Sequence, residues 1–291
     1  MPPEPAPLPT VVLVHFGDPN LTLGCLQTLA TVEREPHRVV VADHGPSPGL
    51  AAVDLAPFAG LLRLEDFSNP GFGAGCNRAA EAAFAAGAPA VWFLNNDARL
   101  EEPLLGALLG QARRHPQVAL WGTHQVEGGR RLGADRQPGW YSRGARAVSV
   151  PGLQGGCVLP PGESLSGASL FVTREAWERL GPWPESHFLY YEDAAWCLRA
   201  HRAGLPLVLL DQAVIHTRGT TTGRKSAGTT FYGTRNRLRL LAAQGSRPEV
   251  FLEGLYLLQR RFFRGQWSLL VPTWRGIRAA LQGVSGRDPR Y

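Results

Sequence analysis

Two adjacent carboxylates, Glu192 and Asp193, directly follow two tyrosines, Tyr190 and Tyr191, at the start of a stretch with helical spacing. Ala194, Cys197 and Leu198 fall at i, i+3 and i+4, and Gly204 stands where a C-terminal cap belongs. That places Asp193 in the first turn, where the helix dipole favours its ionised form. An ionised carboxylate beside an aromatic wall is what a general base acting on a hydroxyl group requires. An acidic helix start over buried tyrosines would have the same spelling, so this stretch alone leaves both readings open.

A second constellation ends an apolar run. Val91-Trp92-Phe93-Leu94 leads into Asn95-Asn96-Asp97, a costly place for polar groups unless they have partners. A divalent cation on a diphosphate would supply one, because Mg²⁺ and Mn²⁺ prefer carboxylate, phosphate and water oxygens. A polar turn capping the next helix is the other reading. His216 closes another apolar run and gains interest only from this company, as a further metal ligand or a phosphate donor. The turn Asn69-Pro-Gly-Phe-Gly73-Ala-Gly-Cys-Asn77 is not G-x-G-x-x-G and follows the third predicted strand. No acid ends a strand about 20 residues later, so a nicotinamide-binding fingerprint is disfavoured. Its amides and the following helix N-terminus would suit a phosphate or sugar; close helix packing is equally compatible with the glycines.

The elements that must hold these residues alternate. Strands are expected at Val11–Phe16, Val39–Asp43, Leu61–Glu65, Val91–Leu94 and from Val118, with helices between them. Asn20 is read as the cap of the first helix, an alanine-rich helix ends at Gly87, and Pro103 sits in the first turn of the next. The strand patterns are continuously apolar, as in a mostly parallel sheet covered on both faces. In such sheets ligands sit beyond the carboxyl ends of strands, where Asp43, Asn69–Asn77 and Asp97 all fall. Periodicity fades from His124 to Gly162 and returns at Leu170. Pro206–Leu210 and Ala213–His216 read as one bent strand, and Thr217–Thr230 as a mobile cationic loop carrying Arg218, Arg224 and Lys225.

The 291 residues suffice for a large core; 44% are hydrophobic and 19% charged, ordinary values for a globular protein. The net charge of +6 rests almost wholly on arginine, with Lys225 the single lysine. Dispersed arginines without a recognition motif argue against nucleic-acid binding. Cys25, Cys76, Cys157 and Cys197 form no C-x-x-C pair and read as reduced thiols, not a zinc site. The proline-rich start lacks signal-peptide order, and no apolar run approaches the roughly 18–20 residues of a span, which points to a cytoplasmic protein.

Taken in order, the strand ending in Asp43, Asn69–Asn77, Leu94-Asn95-Asn96-Asp97, Ser166-Gly167-Ala168-Ser169, Tyr191-Glu192-Asp193 with Cys197-Leu198-Arg199, His216 and Arg235-Asn236-Arg237 resemble a family 2 glycosyltransferase of the GT-A fold, in the bacterial rhamnosyltransferase-like branch. The resemblance covers about Val11 to Leu241. It implies an inverting enzyme using Mn²⁺ or Mg²⁺ to move a sugar from a nucleotide-diphosphate donor, dTDP-rhamnose by branch, to a saccharide or polyprenyl-linked acceptor in surface polysaccharide synthesis. Asp193 would be the base and Glu192 its neighbour positioning the acceptor, while Asp97 and His216 would hold the metal. His15, Asp43, Asn69, Gly73, Asn77, Asn95, Asn96 and Arg218 would bind the nucleotide-sugar, and Tyr191 and Trp183 the acceptor. Two departures stand out: His44 where the family commonly has Asn, and Ala195 where a further acid is frequent. They are the best support for an alternative, a non-catalytic nucleotide- or sugar-binding protein on the same scaffold.

The expected organisation is a disordered lead over residues 1–10, a GT-A domain over 11–241 (a nucleotide-sugar half, 11–123, and an acceptor half, 124–241) and a basic amphipathic helical tail over 242–291. In the tail, Phe251, Leu255, Phe262, Phe263, Trp267 and Trp274 interleave with arginines. Such helices lie in a membrane interface, or pack on their own domain or on a second subunit in a homodimer.

Overall fold

A computed structural model describes residues 7–46, 49–58, 60–136, 147–216, 226–243 and 247–291. The first half alternates β1 (Thr10–His15), α1 (Pro19–Val32), β2 (Arg38–Asp43), β3 (Leu61–Glu65), α2 (Phe72–Ala85), β4 (Ala90–Asn95), the short β5 (Ala98–Arg99), α3 (Leu105–Arg114) and β6 (Leu120–Glu127). Short strands follow: β7 (Arg130–Leu132), β8 (Asp135–Arg136), β9 (Gly156–Val158) and β10 (Glu163–Ser164). Then come β11 (Ser169–Thr173), α4 (Arg174–Leu180), α5 (Glu192–Arg202), β12 (Leu207–His216), α6 (Ala227–Ala242), α7 (Arg247–Phe263) and α8 (Leu270–Leu281).

Among the described residues ten strands share one sheet, ordered β3-β2-β1-β4-β11-β6-β12-β5, with β7 on β6 and β9 on β12. Strands β3, β2, β1 and β4 run parallel. β11 inserts antiparallel between β4 and β6, and β6–β12 is parallel again, with a bulge between Leu210 and Ala213. The continuously apolar strands have a simple cause. In β1, Val12 and Val14 join the core with α2, whereas Val11 and Leu13 join the core with α1 and α3. Both faces of the pleat are covered, so neither set can be polar.

Local chemistry explains the boundaries. Asp18, not Asn20, caps α1: its side chain accepts from the Asn20 amide, and Pro19 sits at the first helical position, where a missing N–H costs nothing. Thr10, assigned to the lead by the sequence, pairs with Arg38 in the sheet; residues 1–6 of that lead lie outside the described residues. Helix α3 begins at Leu105, after Pro103, and Glu33, at the C-terminal end of α1, accepts from the Leu104 and Leu105 amides. Residues 247–291 fold back on the sheet domain. Leu238 and Leu241 of α6, Val250 of α7 and Ile277 and Ala280 of α8 share one core with Ala194 and Leu198 of α5. No helix among the described residues is long and apolar enough to cross a membrane.

Candidate active site

A cavity of about 570 Å³ opens beyond the carboxyl ends of β1 and β4, the place that a parallel sheet with covered faces leaves for a ligand. Asp97, His216, Glu192 and Asp193 all line it. They come from distant parts of the chain, and the sheet explains their meeting. β5 pairs antiparallel with the end of β12, His216 opposite Ala98, so the residue before β5 faces the last residue of β12. Asp97 Oδ1 lies 3.0 Å from His216 Nε2, which is also 3.1 Å from the Asn95 side-chain amide. Burial opposes protonation of His216, but the hydrogen bond and charge of Asp97 outweigh it and raise its pKa.

β11 delivers the other pair. Its register sets Ser169 opposite Leu94, and the Asn95 amide donates to Ala168 O. One residue earlier, Gly167 N donates to Asp193 Oδ2 at 3.0 Å. A Cβ at Gly167 would sit in ordinary contact with Asp193 Cβ, at 3.5 Å, but would press on the Trp183 ring at 3.2 Å. Asp193 Oδ1 accepts a second bond, from Ala194 N at 2.7 Å. Burial nevertheless pushes the Asp193 pKa up, against the expectation from the helix dipole alone. Glu192 is pushed further, to about 8, by burial and then by the Asp193 charge. Burial of two adjacent carboxyl groups disfavours both being charged at once. Asp193, with two amides on its oxygens, is the better place for a single charge, and Glu192 for the proton.

The loop ahead of this pair is strained. Phe188, Tyr190 and Tyr191 have φ of 65°, 67° and 70°, a region that side-chain-bearing residues occupy at a cost. α6 holds the loop there. Asn236 Nδ2 donates to the carbonyls of His187, Leu189 and Tyr190 at 2.7, 2.8 and 3.0 Å, and Arg235 Nη2 to His187 O at 2.8 Å. Gly71, at φ 110°, lets the loop before α2 pass against Phe188, whose carbonyl accepts from Phe72 N.

Several expected contacts lie elsewhere. Asn69, Asn95 and Asn96 line the cavity. Asn77 does not: it is buried, donates to Trp183 O and Glu185 Oε1, and accepts from Trp183 N. Gly73 packs against Pro184 and Trp183, the close-packing role of the glycine turn. Trp183 is buried among Phe72, Phe93 and Trp196, its ring 4.6 Å from that of Trp196, and cannot contact an acceptor without unpacking this core. Tyr191 turns away, its hydroxyl accepting from Arg237; Tyr190 takes the place in the wall. Asp43 is fully buried, its carboxylate taken by Arg63 and the amides of Gly45 and Leu50. His15 reaches the site only through Thr22, which its ring contacts at 2.8 Å and to which Asn96 donates. Arg218 lies outside the described residues.

His44, singled out in the sequence as a departure, faces the cavity, and burial lowers its pKa. Sequence reasoning missed Tyr232, Arg287 and Tyr291, which also line it. Tyr291 stacks on Phe231 at 4.6 Å and Arg287 donates to Ser68 O, tying the last residues across one edge. No local pattern announces Arg287 and Tyr291, since only the return of the chain after α8 puts them there.

No family model matches the chain. It is 28% identical over 243 residues to the N-acetylglucosaminyl-diphospho-decaprenol L-rhamnosyltransferase of Mycobacterium tuberculosis, covering 76% of this chain and 79% of that one. A mannosyltransferase from Pyrobaculum calidifontis, solved in complex with GDP-Man and Mn²⁺, superposes with a TM-score of 0.56 at 15% identity over 96% of this chain and 88% of its own. S. aureus TarS 1-349 superposes with a TM-score of 0.55 at 16% identity over 81% of this chain, which spans 65% of that fragment. The same fragment has been solved with UDP and with UDP-GlcNAc.

Proposed function

We propose that the chain is a glycosyltransferase of the family 2 type on a GT-A fold, and that it transfers a sugar, with inversion, from a nucleotide-diphosphate donor to a lipid-linked saccharide, with dTDP-rhamnose as the donor to test first. The observation that carries this reading is one cavity lined both by the Asp97–His216 pair and by the Glu192–Asp193 pair. An acidic relay without the first pair would suit many hydrolases; the two together suit a diphosphate leaving group and a hydroxyl nucleophile.

The residues fit a divalent cation. Among the described residues no group of three His, Cys, Asp or Glu could hold a metal ion, but one carboxylate oxygen and one imidazole nitrogen 3.0 Å apart at a cavity wall suit Mn²⁺ or Mg²⁺ whose remaining ligands are diphosphate oxygens and water. When bound, such an ion neutralises charge on the departing diphosphate.

The chain's own part is at the other pair. Asp193, aligned by the Gly167 and Ala194 amides, takes the proton of the acceptor hydroxyl as its oxygen bonds to the anomeric carbon. The carbon–diphosphate bond breaks on the opposite face, its electron pair leaving with the nucleotide. Glu192 stays protonated and donates to the sugar or acceptor. The relative's acceptor, a decaprenol-linked diphospho-sugar by its name, makes a polyprenyl-linked saccharide the acceptor class of choice, with contact to the membrane through the C-terminal helices.

Thermal shifts with dTDP-, UDP- and GDP-sugars, each with and without Mn²⁺, test the donor half. A metal-dependent shift for one nucleotide, lost in Asp97→Ala, is expected. Metal-independent binding of every nucleotide would overturn it. Transfer onto a short-chain polyprenyl-diphosphate GlcNAc tests the acceptor half.

A further inference from the structure

Exposed aromatics cluster at the hairpin joining α7 to α8. Phe263 is 82% exposed, Trp267 58% and Trp274 57%, with Val271 between the last two. Phe262 joins them, its ring 4.5 Å from Trp267 and 5.6 Å from Phe263. A contiguous apolar tip of this kind marks a binding surface, whereas isolated exposed apolar side chains do not.

Charge decides what it binds. Arg260, Arg261 and Arg264 surround the tip, and from Gly254 to Arg287 the sequence has six arginines and no acidic residue. Arg261 feels this crowding: burial and then its neighbours Arg260 and Arg264 hold its pKa below the ordinary value. Two copies meeting at this tip would bring like charges together without a compensating carboxylate. An anionic lipid interface complements both features, since aromatic rings settle at headgroup depth and arginines pair with phosphates.

The tip also points the right way. Four residues connect α6 to α7, a length that makes neighbouring helices antiparallel. Arg237 pairs with Glu253 at 2.7 Å, and Gly276 of α8 packs against Phe231 and Thr234. From Glu253, ten residues forward reach Phe263; from Arg237, ten backward reach Ala227, each about 15 Å of helix. The tip therefore stands at the N-terminal end of α6, where Ser226, Gly228 and Thr229 line the cavity.

We propose that this tip, with Phe262, Phe263 and Trp267 inserted and Arg260 and Arg264 on the headgroups, docks the protein on an anionic lipid surface with its cavity mouth beside the membrane. The proposal rests on a lipid-linked acceptor, and its test reads binding, not transfer. The full chain is floated with vesicles of phosphatidylcholine alone or with about a third phosphatidylglycerol, at low and high salt. Wild type should float with the anionic vesicles and lose most binding at high salt. Phe263→Glu should float at least about 10-fold less well, and Arg260→Gln/Arg264→Gln should lose the anionic preference. Both variants should keep the wild-type melting temperature and donor-induced shift, the side chains being outside the core. Equal flotation of Phe263→Glu, or none for wild type, overturns the proposal. So would a dimer in solution that Phe263→Glu dissolves, which would assign the tip to a second copy. A lost donor shift with flotation intact would count against the proposed reaction and leave the surface standing.

Discussion

Asp97 Oδ1 and His216 Nε2 stand 3.0 Å apart, although β4 and β12 are not neighbours in the sheet. The two-residue strand β5 bridges that gap by pairing with the end of β12. Asp97 and His216 are the pair proposed above to hold a cation on a diphosphate.

Deleting Asp97 should therefore act on metal-dependent donor binding. Asp97→Ala is expected to lose more than about 100-fold in kcat/KM, beyond the ~10–100-fold typical of outer-shell partners, and His216→Ala somewhat less. Calorimetry of the nucleotide with and without Mn²⁺ checks this. Unchanged metal-dependent affinity in both variants would remove the pair from the metal site.

Asp193→Asn should keep donor binding and lose transfer by about 10²–10⁴-fold, the usual worth of a general base. Single-turnover rates beside a donor titration separate the two. If donor affinity fell in step with the rate, Asp193 would be a binding residue.

Glu192 makes a pH prediction. Its folded-state pKa of about 8 lies above the ordinary 4.5, so across that window the folded protein holds a proton that the unfolded chain has released. Stability contributed by this group is thus full below about pH 4.5 and declines towards pH 8, by on the order of a few kcal/mol. Urea titrations between pH 5 and 8 should show a flatter profile for Glu192→Gln than for wild type; parallel profiles would rule the assignment out.

Asn77 should behave as a structural residue. Asn77→Ala strands the Trp183 amide and carbonyl, costing about 1–3 kcal/mol, while the donor KM stays within about twofold. A large KM change at unaltered melting temperature would return Asn77 to the donor site.

Asn236 is the clamp on the strained loop. Asn236→Ala removes one donor from each of three carbonyls and lets residues 188–191 relax, and a misplacement near 1 Å costs about 100-fold in rate. The fall should be in kcat, with donor affinity kept. Wild-type kcat would show that the loop holds its shape unaided.

The alternation of strands and helices was legible because hydrophobic period is a local property, and β1 and β4 needed only their own residues to read as buried on both faces. Glu192–Asp193 and Asn95–Asp97 were legible as polar groups at the ends of such elements. Asn77, Trp183 and Tyr191 were misplaced for one reason: a residue beside a site in sequence can face either way. Positive-φ residues at 188, 190 and 191 break the regular alternation, and Tyr190, not Tyr191, stands in the cavity wall.

What the sequence by itself determined is thus the set of elements and the chemical types at their ends, both dictated by short-range periodicity and the cost of stranding polar groups. The antiparallel insertion of β11, the bridging by β5 and the return of α7 and α8 onto α6 were decided only in three dimensions. Pairing partners far apart in the chain leave no mark in local pattern, yet they are what brings Asp97 to His216 and Gly167 to Asp193.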